Sequence, residues 1–132
     1  MKRIEIEKLI TVENEKVASV AGVWFVHSLW CLDEIEVGRF YSVIHLSLRK
    51  YPQSRIELVY RSSGIHGKES FTCNMPAKGS FEVNEENEAL AFYSAAGWLF
   101  RNKNLLEDLK ESLKRATSNV KALIDSYKSE KC

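Results

Sequence analysis

From residue 106 to residue 127, apolar side chains recur at alternating spacings of three and four: Leu106, Leu109, Leu113, Ala116, Val120, Leu123 and Tyr127, with no Pro or Gly in between. That is the period of an α-helix with one apolar stripe, sustained over three heptads. Asn104 followed by Glu107 supplies a capping-box-like start. Such a helix runs for roughly 25 residues, about 37 Å at 1.5 Å per residue. A domain of 132 residues has little surface of that length to cover it. The expectation is therefore a coiled-coil zipper that pairs the chain with a second copy of itself. A stripe laid on the chain's own sheet, or an αα-hairpin with a preceding helix, is the competing use.

Ahead of this helix the pattern is that of strands. Residues 3 to 10 begin with apolar and charged residues in alternation, which reads as an edge strand. From Lys16 to Cys31 the chain is almost continuously apolar, with Gly22 inside the run, which reads as a central strand bent at the glycine. Between Tyr41 and Ser63, Ile44, Leu46 and Leu48 alternate with polar residues. After Tyr51-Pro52-Gln53-Ser54, Ile56, Leu58 and Tyr60 do the same, giving a β-hairpin. A helix over 35 to 51 competes, because Phe40, Val43, Ile44, Ser47, Leu48 and Tyr51 share a helical face. Phe71, Cys73 and Met75 alternate before Pro76 and predict a further strand, and Asn84 caps a core helix over about 85 to 101. The fold class is thus α+β: an antiparallel β-meander of about four to six strands followed by two C-terminal helices, the last a coiled-coil zipper. Residues 1–103 form a β-rich body with one packing helix and 104–132 a C-terminal dimerisation helix, all within one structural domain.

Nineteen Lys plus Arg against eighteen Asp plus Glu leave a formal charge of +1, so no overall field draws the chain to polyanions or to anionic membrane. Any such site has to come from local clustering. The first residues lack the apolar run of a signal peptide, and no stretch has the length of a membrane span, so a cytoplasmic address without membrane partners is expected. Three cysteines, Cys31, Cys73 and Cys132, are odd in number and irregular in spacing, which fits free thiols.

Catalytic motifs are not found. No G-x-S-x-G, P-loop or dinucleotide fingerprint is present, and Gly64-Ile65-His66-Gly67 is too short for a phosphate loop. Of His27, His45 and His66, only His27 has a candidate metal partner nearby, Cys31, and two ligands do not make a site. The expectation is no catalytic residue, no metal site and no cofactor. What remains is the hairpin face opposite Ile44, Leu46, Leu48, Ile56, Leu58 and Tyr60. It carries Tyr41, His45, Ser47, Arg49, Arg55 and Arg61, with Lys50 and Lys68 nearby and Glu57 as the main acidic member. Guanidinium groups beside exposed rings suit single-stranded nucleic acid, where cations neutralise phosphates and bases stack. Tyr41, His45, Arg49, Arg55, Arg61 and Lys68 are the candidate binding residues for single-stranded nucleic acid or a nucleotide. A charged strand face that is merely solvated explains the same residues.

The order of elements, with the row from Leu106 to Tyr127 following a strand-rich, aromatic-rich body, resembles ThermoDBP-type single-stranded-DNA-binding proteins of archaea. The resemblance implies a sheet-and-helix domain with a basic-rimmed cleft, a C-terminal leucine zipper and binding without turnover. The layout is also similar to phage anti-defence sponge proteins of the Thoeris-inhibitor kind. That similarity implies sequestration of a nucleotide-derived small molecule such as a cyclic ADP-ribose isomer, or masking of a protein partner.

Overall fold

The computed structural model describes residues 3–25, 30–49, 55–63, 67–75, 79–82 and 103–131. In chain order these form α1 (Arg3–Phe25), β1 (Trp30–Val37), β2 (Tyr41–Leu48), β3 (Arg55–Arg61), β4 (Ser70–Met75), β5 (Gly79–Glu82) and α2 (Lys103–Lys131). The five strands make one antiparallel sheet in the order β1-β2-β3-β4-β5, the meander expected of an α+β chain. The core helix expected over 85 to 101 lies outside the described residues, as do Lys50, Cys132, His27 and His66.

The hairpin comes out as read, with Ile44 opposite Leu58 and Leu46 opposite Ile56. All four are buried. The competing helix over 35 to 51 does not form. Strand β4 also lies where Phe71 and Cys73 placed it, and both are core residues.

The N-terminal reading is corrected. Residues 3 to 10 and 16 to 25 belong to one 23-residue helix, not to an edge strand and a central strand. Its fully buried positions among the described residues are Glu13, Val17 and Ala21, four apart, and the half-buried Ile6 and Ile10 continue the same stripe, as a helix requires. Glu13 hides this period in the sequence, because a carboxylate occupies a place where the stripe calls for an apolar residue. Its side chain is only 3% exposed, and it accepts hydrogen bonds from Asn119 Nδ2 of α2 at 3.1 Å and from Lys16 Nζ at 3.2 Å. With those partners the buried polar group is satisfied and pins α1 to α2.

The C-terminal helix is where the sequence placed it, and its apolar row has a covering within the same chain. Leu106, Leu109, Leu113, Ala116 and Val120 are buried in one core cluster with Val17 and Ala21 of α1 and Trp30, Ile44, Leu46, Ile56, Leu58, Tyr60, Phe71 and Cys73 of the sheet. Leu123 and Tyr127 are half-buried. Burial reaches Leu105 and Thr117 as well, so the stripe is wider than the two-in-seven seam of a zipper and has the breadth of a helix on a globular core. Buried hydroxyls of Ser42 on β2 and Thr117 on α2 share a hydrogen bond of 2.5 Å. At the far end of α2, Arg39 of the β1-β2 turn pairs with Asp125. Lys121, with Arg39, holds the Asp125 carboxyl below its ordinary range.

One irregularity decides what the opposite sheet face carries. Between Leu32 and Glu34 the register of β1 against β2 shifts, leaving Asp33 as the extra residue of a β-bulge. Trp30 and Leu32 before the bulge, and Ile35 and Val37 after it, all pack on the core. Glu34 and Glu36 are thereby turned to the other face, beside His45.

Candidate functional site

Strand alternation puts Tyr41, Val43, His45 and Ser47 of β2 on the face away from the helices, together with Arg55, Glu57, Val59 and Arg61 of β3 and Thr72 and Asn74 of β4. All the candidate binding residues are at the surface or half-buried, but they do not form one basic stripe. Arg55 and Arg61 stand at opposite ends of β3, about 20 Å apart at ~3.3 Å per residue. Between them lies Glu57, and β1, on the far side of β2, adds Glu34 and Glu36. His45, expected among cations, sits among carboxylates instead: Nδ1 lies 3.5 Å from Glu57 Oε1 and Nε2 lies 3.7 Å from Glu36 Oε1. Arg49 and Lys68 are exposed, Arg49 just past the end of β2 and Lys68 beside the left-handed Gly67 of the β3-β4 connection.

Two shallow depressions share Glu57 as a common wall. One, of about 320 Å³, is lined by Asp33, Glu34, His45, Ser47, Arg55, Ile56 and Glu57. The other, of about 360 Å³, is lined by Tyr41, Val43, Glu57, Val59, Arg61, Thr72 and Asn74. Their chemistry differs. The first is dominated by carboxylates, and Ser47 Oγ donates to Asp33 Oδ1 at 3.0 Å. The second joins a phenol ring, a guanidinium, the two valines and two neutral polar side chains, with Glu57 its one carboxylate.

Local structure at the second depression is tightly set. Tyr41 pairs directly with Arg61 across the hairpin, and the Arg61 guanidinium lies 6.0 Å from the centre of the Tyr41 ring. The ring is 42% exposed, and its neighbour Phe40, in the turn, is 46% exposed with Arg39 at 4.8 Å over its face. Two hydrogen bonds from Ser62, through its backbone N–H at 2.8 Å and its hydroxyl at 3.2 Å, converge on the Phe40 carbonyl and tie the turn to the end of β3. A side chain at Gly38 would put its Cβ 3.2 Å from Cε1 of the Tyr41 ring, so glycine there lets the ring lie against the turn. On the floor, Asn74 Nδ2 donates to Glu57 Oε2 at 3.1 Å. Exposed aromatic rings flanked by guanidinium groups are thus built into the β1-β2 turn end of the sheet. Sequence reasoning found Tyr41 and Arg61 but missed Arg39, Phe40, Thr72 and Asn74. Phe40 in a glycine-led turn was the available signal.

The titratable groups on the core side are structural. The Tyr60 hydroxyl donates to Glu69 Oε2 at 2.9 Å, and Lys110 and Lys114 of α2 approach the same carboxylate. The bond from Tyr60, with the lysines, lowers the Glu69 pKa, while burial and Glu69 push the Tyr60 phenol up to about 12. Burial likewise drives the Cys73 thiol up to about 12, so it holds its proton near neutral pH.

No protein-family model, curated protein or solved structure gives a match to this chain. Among the described residues, no helix is long and apolar enough to cross a membrane.

Proposed function

We propose that this is a binding domain without turnover that takes a nucleotide-type ligand on the outward sheet face, at the end formed by Tyr41 and Arg61. The carrying observation is the cross-strand pair of an exposed phenol ring and a guanidinium beside a depression of about 360 Å³ that also offers Thr72 and Asn74. A base stacks on the ring, Arg61 takes the phosphate, and the neutral side chains contact the base edge. The volume lies near the lower bound for small-molecule sites. Glu34, Glu36 and Glu57 repel a phosphate chain laid along the strands, which favours a single nucleotide unit over an extended strand. This is the ligand class of the sponge-like alternative more than that of a general single-stranded-nucleic-acid binder. Self-association through the leucine row forms no part of the reading, because five of its seven residues are buried in their own chain's core.

The test is a calorimetric titration of the full chain with mono- and dinucleotides, beside a polarisation titration with a labelled single-stranded oligonucleotide at two salt concentrations. A single phosphate contact gives a log-log salt slope near −1, whereas a strand spanning several phosphates gives a much steeper one. Tyr41→Ala and Arg61→Ala should each weaken binding about tenfold, in line with ~1 to 3 kcal/mol per stacked base, and Arg55→Ala should leave it nearly unchanged. Absence of binding to every nucleotide at millimolar concentration and to the oligonucleotide at micromolar protein would refute the proposal.

A further inference from the structure

The carboxylate-rich side of the same face holds a second constellation that needs no nucleotide. Glu34 and Glu36 of β1 and His45 of β2 each offer one donor atom, and these three atoms lie within 4.8 Å of one another. Glu34 is the direct cross-strand partner of His45, and Glu36 follows two residues on along the same face. The donors therefore rest on the backbone of two hydrogen-bonded strands. The Asp33 bulge is what sets this register.

Two further facts concern the imidazole. Its Nε2 is buried and has no hydrogen-bond partner, although Glu36 Oε1 is 3.7 Å away, just beyond hydrogen-bond reach. Its other nitrogen, Nδ1, faces Glu57 Oε1 at 3.5 Å, and Glu57 is in turn held by Asn74. An imidazole with a carboxylate beside one nitrogen and Glu36 facing the other, with a Glu34 oxygen within the same cluster, has the arrangement that metal-bound histidines adopt. A divalent ion at Nε2 would place positive charge between the carboxylates gathered round the ring.

We propose that Glu34, Glu36 and Nε2 of His45 form a binding site for a divalent transition ion of the zinc class, with Glu57 orienting the imidazole. Mixed nitrogen and oxygen donors select such ions over magnesium and calcium, which prefer oxygen alone. Donor atoms in a tetrahedral zinc site are roughly 3.4 Å apart, given bonds of ~2.0 to 2.2 Å. Small rotations of Glu34 and Glu36, both exposed, close the present spacing. Three protein donors leave a coordination position open toward the depression of about 320 Å³ beside them, so the site can present a metal-bound water or a ligand oxygen there.

The experiment is isothermal titration of the untagged, chelator-stripped full chain with zinc chloride, and with magnesium chloride as a comparison. One equivalent of zinc should bind with a dissociation constant of roughly 1 to 100 µM, and a large excess of magnesium should not displace it. His45→Ala and Glu34→Gln should each weaken this binding at least tenfold while the far-ultraviolet circular dichroism stays unchanged. Glu57→Gln, which removes no donor to the metal, should weaken it about 10- to 100-fold. Nitrogen-15 spectra of the imidazole should show zinc at Nε2 and a proton at Nδ1. No zinc binding below millimolar concentration, or binding of equal strength in His45→Ala, would overturn the proposal.

Discussion

The two faces of the sheet are made from alternate residues of the same strands, yet one is closed and the other chemically mixed. On the helix side, Ile44, Leu46, Leu58 and Cys73 are fully buried under α1 and α2, and buried polar groups pair across elements, Ser42 with Thr117 and Glu13 with Asn119. On the other side, Tyr41 and Arg61 flank an open depression, and three glutamates surround one imidazole. The helix side concentrates stability, because apolar area removed from water is worth about 25 cal/mol per Å². Charge concentrates on the outer side, where it remains available to a ligand. A substitution should therefore register in stability or in binding according to the face it lands on.

The largest effect should come from the leucine row. Leu113→Ala, at a fully buried position, should cost about 2 to 5 kcal/mol in chemical denaturation. The denaturation midpoint should be independent of protein concentration, because the row is covered by its own chain. A midpoint that rises with concentration would show that pairing between chains contributes to the stability. Next is the buried hydroxyl pair. Ser42→Ala or Thr117→Val alone should cost about 1 to 3 kcal/mol by leaving a partner unsatisfied, while the double variant should cost less than the sum of the two. A simple sum in that cycle would mean the hydroxyls are not coupled.

A smaller, pH-dependent effect belongs to Tyr60 and Cys73. Both hold their protons more tightly in the folded chain, with pKa values of about 12 against ordinary values of 10.0 and 9.0. Their contribution is complete below the ordinary values and is lost as the pH rises from there toward about 12, since the unfolded chain releases those protons first. Tyr60→Phe should flatten the alkaline limb of a stability profile measured by denaturant titration. It should also cost about 1 kcal/mol at neutral pH through loss of the bond to Glu69. On the acid side, the lowered pKa of Glu69 predicts support that is present above the ordinary carboxylate range and lost as the pH falls through it. The smallest effect should be that of Arg61→Ala and Arg55→Ala on folding, within about 0.5 kcal/mol for exposed side chains. If Arg61→Ala instead destabilised the chain as much as Leu113→Ala, the division between the faces would fail.

How much of this could be read beforehand varied with the kind of residue. The hairpin was legible because Ile44, Leu46, Ile56 and Leu58 alternate cleanly on both sides of a proline turn. The first helix was not, because the short alternation of Ile4, Glu5, Ile6 and Glu7 imitates a strand, while Glu13 breaks the helical stripe at a position where only Asn119 and Lys16, brought in by folding, make a carboxylate tolerable. In the candidate site, Tyr41, Arg61 and His45 were found as outward-facing residues. Their partners were not, since Glu34 and Glu36 reach His45 only through the bulge at Asp33, and Arg55 is separated from Arg61 by the length of the strand.

The sequence alone determined the α+β class, the central hairpin, strand β4 and the extent of the last helix, because each rests on a periodicity carried by neighbours along the chain. Only the tertiary structure decided what covers the leucine row and which charges meet on the open face. A helical stripe has the same local signature whether it packs against its own sheet or against a second molecule, and cross-strand register lies outside any window of consecutive residues.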